Sequence, residues 1–202
     1  MTLIATPAKY YRFNGWGGDV SDISERITVT MNSNKTIVAS FSKIMYTINC
    51  SVAASGGGTI DSTGGTYEAG TQVTVRASPQ TGYRFDHWGG DVSSTENTLN
   101  IVMNANKTVT AHFVKVYSFS TSTSPADAGT ISPSTGLHDA GTKVTLTATA
   151  KFPYAFTYWT STDNDNVNPT TITMNSDISA TAYFVKLSPG PVLTHPGKLW
   201  GQ

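Results

Sequence analysis

The chain of 202 residues holds a single cysteine, Cys50, so it cannot close an internal disulfide. No cysteine and histidine stand at zinc-site spacing either, which excludes a structural zinc clasp. Stability must come from packed cores, for which a hydrophobic content of 38% suffices. Charge is scarce: Asp, Glu, Lys and Arg make up 13% of the residues, about half the usual share, and they balance to a net charge of zero. Such a surface has no basic field to attract nucleic acid or an anionic membrane. No apolar run approaches the ~18 residues of a membrane span, and Met1 to Pro7 has neither the basic start nor the apolar stretch of a signal peptide. Catalytic constellations are missing too. No G-x-S-x-G elbow occurs, and "SGGGT" and "GWGGD" lack the Lys-Ser/Thr pair and the helix start that a phosphate cradle requires.

What the chain has instead is repetition. Leu3 to Lys43 matches Val75 to Lys115 without a gap at a spacing of 72 residues, pairing Phe13 with Phe85, Trp16 with Trp88, Met31 with Met103 and Phe41 with Phe113. A spacing of 71 finds a further copy, pairing Tyr46 with Tyr117, Ala69-Gly70-Thr71 with Ala140-Gly141-Thr142, and Trp88 with Trp159. The organisation expected is a half repeat over 1–43, a full repeat over 44–115, a divergent full repeat over 116–186, and a Pro/Gly-rich tail over 187–202. Leu3 and Ala5 match Val75 and Ala77 inside a copy, so the chain is expected to begin in mid-repeat, as a fragment of a longer protein does. This period exceeds the ~20 to 50 residues of solenoid repeats, so each unit should carry its own core.

Within a copy the apolar residues alternate, which is the strand period: Val73, Val75 and Ala77; Leu99, Ile101 and Met103; Val109, Ala111 and Phe113. The opposite face is mostly Thr. No helical period survives, so the fold class is all-β. Trp88 is out of phase with Tyr83 and Phe85, so a bulge or turn at Asp86-His87 must re-aim it inward. Trp16, Trp88 and Trp159 are then equivalent core residues, packed against Phe41, Phe113 and Phe184. "PQTG", "GGDVS" and "NANK" supply turns between strands.

The combination of "AGT", "GYRF", "WGGD", Met103-Asn104 and "KTVTAHF" resembles the divergent internalin-type B-repeat, a tandem module of bacterial surface and secreted proteins. The resemblance covers residues 3–186. It implies compact β-grasp-like units, an extracellular or cell-wall location, a spacer or adhesion role toward a protein or polysaccharide, and no catalytic residues. The third copy departs from the pattern: "WTSTDNDNVNP" replaces "WGGDVSSTENT", and Ala150 replaces the turn proline.

Candidate sites are few. His87 and His112 sit at outward strand phases, and the third copy has Tyr158 and Tyr183 there, which argues against a shared catalytic base. Asp19 and Asp91 follow paired glycines and are read as turn residues bonding their own backbone. In "TDNDNVN", Asp163 and Asp165 are the calcium candidates, without the glycine and distal glutamate of an EF-hand loop; no other cofactor is expected. Phe152 and Tyr158 have no aromatic counterpart in the second copy, where Thr81 and His87 stand. They either stack on a sugar or protein ligand or pack at a junction between copies. The half repeat lacks the strands that should cover Phe13 and Trp16, so it is expected to recruit a partner from among the second copy, the Trp200 tail and the same half of another molecule: a homodimer first, docking of the tail next. The function expected is a non-catalytic spacer or presenting module, the alternative a dedicated carbohydrate-binding module using the third copy's aromatics.

Overall fold

The computed structural model describes residues 1–54 and 56–188. The expected docking of Trp200 lies outside them. Every regular element among the described residues is a β-strand, and the chain divides into two compact units, Met1–Val114 and Lys115 onward. The half copy and the second copy share the first unit.

The half copy forms β1 (Thr2–Ile4), β2 (Tyr11–Gly18), β3 (Arg26–Thr28) and β4 (Ile37–Lys43), paired antiparallel as β1-β3 and β2-β4. The second copy adds β5 (Met45–Val52), β6 (Gly58–Ile60), β7 (Gly64–Glu68), β8 (Gln72–Pro79), β9 (Tyr83–Gly90), β10 (Thr98–Val102) and the first part of β11 (Lys107–Ser124). Its strands make two layers. One has the order β10-β8-β6; the other runs β9, β11, β5, β7. The inward phases of both layers, among them Ile48, Val75, Trp88, Ile101, Met103, Val109 and Phe113, close into one core.

The boundary between units falls inside β11, so no Pro/Gly linker separates the second and third copies. The second unit repeats the plan with the rest of β11, then β12 (Gly129–Ser132), β13 (Thr135–Asp139), β14 (Lys143–Ala150), β15 (Tyr154–Thr160), β16 (Thr170–Thr173) and β17 (Ile178–Lys186). Its layers are β12-β14-β16 and β15-β17-β11-β13, and Trp159, Leu146, Ile172, Met174 and Phe184 fill the core between them.

In each full copy the first and last strands lie side by side and parallel. β5 pairs with β11 from Lys107↔Ile48 to Ala111↔Val52, and β11 pairs with β17 from Phe119↔Ile178 to Ser124↔Tyr183. A carboxamide or carboxylate in the loop before the last strand caps the first strand: Asn106 Oδ1 accepts from Thr47 N at 2.9 Å, and Asp177 Oδ1 accepts from Ser118 N at 2.7 Å. On the outer face hydroxyls meet across the same seam, as in Ser51–Thr110 at 3.1 Å and Ser122–Thr181 at 2.9 Å.

The register slips by one residue between Phe13 and Gly15 in β2 and between Phe156 and Tyr158 in β15. The extra residue turns the following tryptophan onto the core face, and a ring chain Trp–Phe–Phe forms in every copy: Trp16–Phe13–Phe41, Trp88–Phe85–Phe113 and Trp159–Phe156–Phe184, with centroids 5.4 to 6.0 Å apart. Trp88 and Trp159 are fully buried. The expectation that Trp16 and Phe41 are equivalent core residues needs correcting: Trp16 is only half-buried and Phe41 is 39% exposed, against 5% for Phe113. The reason lies in strands the half copy lacks. In the second copy Gly58 of β6 lies so close over Phe113 that a Cβ there would stand 2.3 Å from the ring, and Gly129 of β12 covers Phe184 in the same way. No strand of residues 1–43 occupies that position over Phe41.

Candidate functional site

The outward face of the β9-β11-β5-β7 layer and its third-copy equivalent carry the chemistry that distinguishes the copies. One cross-strand position is filled differently in each. The half copy has Gly15 and Ser40, directly paired across β2 and β4. In the second copy the position holds His87 and His112, whose rings stack with centroids 4.4 Å apart and planes 3° from parallel. In the third, Tyr158 and Tyr183 stack at 4.6 Å and 7°. The sequence marks Tyr158 as a ligand candidate and Tyr183 only as the counterpart of His112. The partner ring is 25 residues away, and its signal was the matching +71 spacing of both members of the histidine pair.

Tyr158 stands on β15, the outer strand of its layer, and remains 42% exposed. Phe152, in the turn before β15, is 87% exposed.

The loop after Trp159 is where the third copy diverges. Trp159 N donates to Asp165 O at 2.6 Å, as Trp16 does to Asp22 O and Trp88 to Ser94 O at 2.7 Å. The indole nitrogens behave differently. Trp16 Nε1 donates to Ser24 O at 2.9 Å and Trp88 Nε1 to Glu96 O at 3.0 Å, whereas Trp159 Nε1 is buried with no acceptor among the described residues. A buried donor without a partner costs about 1 to 3 kcal/mol. The replacement loop gains other bonds. Asn168 Nδ2 donates to Ala148 O at 2.7 Å and its Oδ1 accepts from Ala148 N at 2.9 Å, taking the place that the Asn97 backbone carbonyl holds toward Ala77 N in the second copy.

Asp163 and Asp165, the calcium candidates, serve different partners inside the chain. Asp163 Oδ2 accepts from the Thr171 and Thr173 hydroxyls at 2.7 and 2.9 Å, and the Thr171 bond is the main cause holding its carboxyl below the ordinary value. Asp165 Oδ1 accepts from the Thr162 hydroxyl at 2.8 Å. Among the described residues no three His, Cys, Asp or Glu side chains gather as a metal-binding group. Asp19 and Asp91 do not bond their own turns, as the sequence reading had it. Their Oδ2 atoms accept from Thr36 N at 2.6 Å and Thr108 N at 2.7 Å, tying the Gly-Gly turn to the start of the next long strand.

In the half copy, Thr6, Ala8, Tyr11 and Phe41 line an open hollow of about 260 Å³. The half copy is held to the second copy by the Lys43–Glu68 ion pair, by Ile44 N donating to Tyr10 O at 2.8 Å, and by the Tyr10 ring over Gly70.

The model of the divergent InlB B-repeat domain matches residues 1–45, 48–117 and 119–188. The chain belongs to that family, as three tandem copies. No curated protein matches it.

Proposed function

We propose that this array of divergent InlB B-repeats is a non-catalytic, tension-bearing spacer on the outside of a bacterial cell, holding neighbouring domains away from the surface. The observation that carries the reading is the parallel pairing of first and last strands in both full copies. A pull on the chain through these two strands loads all their cross-strand hydrogen bonds together, in shear. An antiparallel pair pulled at its open ends yields one bond at a time. The direct passage of β11 from one copy to the next adds no slack between them. Single-molecule pulling on the whole chain tests the reading. Two high-force events are expected, each releasing roughly 240 Å of chain for about 70 residues at near-full extension, preceded by low-force opening of residues 1–43. Full copies that open as easily as the half copy would refute it.

The stacked Tyr158–Tyr183 pair favours a second reading, an additional polysaccharide-binding role for the third copy. A glycan array should then show binding that Tyr158→Ala removes; no bound glycan, or binding indifferent to Tyr158, contradicts it. The hollow beside Phe41 supports self-association through the half copy. Light scattering should give a dimer for the whole chain and a monomer for one starting at Ile44, and two monomers would exclude it.

A further inference from the structure

The cross-strand position that carries two phenols in the third copy carries two imidazoles in the second, and their setting is that of a chelate. His87 is on β9 and His112 on β11, with the rings parallel and 4.4 Å apart. Asp86 Oδ2 lies 2.9 Å from His87 Nδ1, while Asp86 Oδ1 accepts from Arg84 Nη1 at 2.8 Å, so the carboxylate is anchored from its other side. A carboxylate at Nδ1 makes that nitrogen the proton-bearing one and leaves the Nε2 lone pair free, the arrangement by which outer-shell carboxylates prepare histidine for metals. Both Nε2 atoms border the same notch at Gly89. A Cβ on Gly89 would lie 3.0 Å from His112 Nε2 and 4.0 Å from His87 Nε2, and because residue 89 is glycine that space is open. The half copy keeps the glycine, Gly17, but has no imidazoles; the third copy has Thr160 there and no imidazoles.

We propose that His87 and His112 form a two-imidazole site for a divalent transition metal, copper(II) foremost, seated in the notch at Gly89 with Asp86 as the orienting carboxylate. Since no third protein ligand of the His, Cys, Asp or Glu type joins them among the described residues, water completes the coordination shell. Two ligands without a cage favour the ion that binds imidazole most strongly, and copper(II) heads that order among the divalent first-row ions. Metal–nitrogen bonds of about 2.0 Å require the stacked rings to tilt toward one another. His87 is 44% exposed on an open sheet face, so the tilt meets no packed neighbour on its solvent side.

Calorimetric titration of the whole chain with copper(II) chloride in a non-coordinating buffer tests the site. The control is the His87→Tyr, His112→Tyr double variant, which copies the third copy and keeps the N-terminus, His138 and His195 as background. One saturable event is expected in the native chain, with electron paramagnetic resonance showing two nitrogen ligands. His112→Tyr alone should weaken it at least tenfold, the double variant should remove it, and Asp86→Asn should weaken it about tenfold. Thermal melts establish that each variant is folded; should the tyrosine pair unfold, His87→Gln with His112→Gln takes its place with the same expected loss. No binding at millimolar copper(II), or binding unchanged in the folded double variant, overturns the proposal.

Discussion

Met31, Met103 and Met174 occupy one position in three copies of the same pattern, yet Met31 is 53% exposed while the other two are completely buried. Nothing about the residue or its phase differs. The half copy has the pairs β1-β3 and β2-β4, equivalent to β8-β10 and β9-β11, but nothing equivalent to β5, β6 and β7. Alternation therefore specifies which face of a strand is apolar, and other strands decide whether that face is buried. The full copies gain their cores when the first strands of the repeat close over faces that the half copy also possesses.

The sharpest way to break this comparison is to truncate the equivalent tryptophans. Trp88→Ala and Trp159→Ala should each cost about 3 to 5 kcal/mol, and Trp16→Ala clearly less because the ring is half-buried. Met103→Ala should cost about 2 to 5 kcal/mol, while Met31→Ala stays within about half a kcal/mol. Denaturant melts of the single variants measure both pairs, and equal losses within a pair would erase the distinction between copies.

A smaller effect is expected from filling the strand that covers the core. In Gly58→Ala the new methyl group meets the Phe113 ring at 2.3 Å and should cost about 1 to 3 kcal/mol, whereas a Cβ on Gly17 of the half copy meets nothing within 4 Å and should be nearly neutral. Melting temperatures of the two variants check this. An unchanged Gly58→Ala protein would mean that β6 does not press on Phe113.

Between the two full copies the expected difference is finer. Trp88→Phe loses the indole bond to Glu96 O, while Trp159→Phe removes a buried donor that has no acceptor among the described residues, so the former should be more destabilising by about 1 kcal/mol. A mutant cycle exchanging both residues would show it, and equal costs would place an acceptor near Trp159 in solution.

The smallest effect concerns acid. The Ser118 backbone N–H, followed by its hydroxyl, holds the Asp177 carboxyl below its ordinary 3.8, whereas the second copy has Asn106 in that place and nothing there to titrate. A carboxylate depressed in the folded state contributes stability above its unfolded value and loses it as pH falls through the folded one. The Asp177 cap on Ser118 should therefore weaken below about pH 3.8 while the Asn106 cap on Thr47 does not, and Asp177→Asn should flatten that difference between the two caps. Copy-resolved amide signals in an acid titration are the readout; parallel loss in both copies would contradict the assignment.

Much of this architecture is legible in the residues themselves. The alternating runs mark the strands, the +71 and +72 spacings mark the copies, and the out-of-phase tryptophan marks the bulge seen in the registers of β2 and β15. The parallel seam is not legible, because its partners are 59 residues apart and carry only Ser, Thr and Asn as a signal. Side-chain partners across strands are not legible either, because alternation gives each strand's faces but not the register between strands: Thr171 and Thr173 for Asp163, Thr108 for Asp91. Phe41 is exposed although its apolar pattern is that of Phe113, because alternation within a strand carries no sign of whether another strand covers it.

Strands β5 to β7, and their third-copy equivalents, bury what the half copy leaves open. Hydrogen exchange followed by mass spectrometry on the whole chain tests it directly. Amides of β4 should exchange well ahead of those in the equivalent parts of β11 and β17, since local opening of a half-covered sheet is cheaper than opening a closed core. Protection of β4 equal to that of β11 and β17 would contradict it.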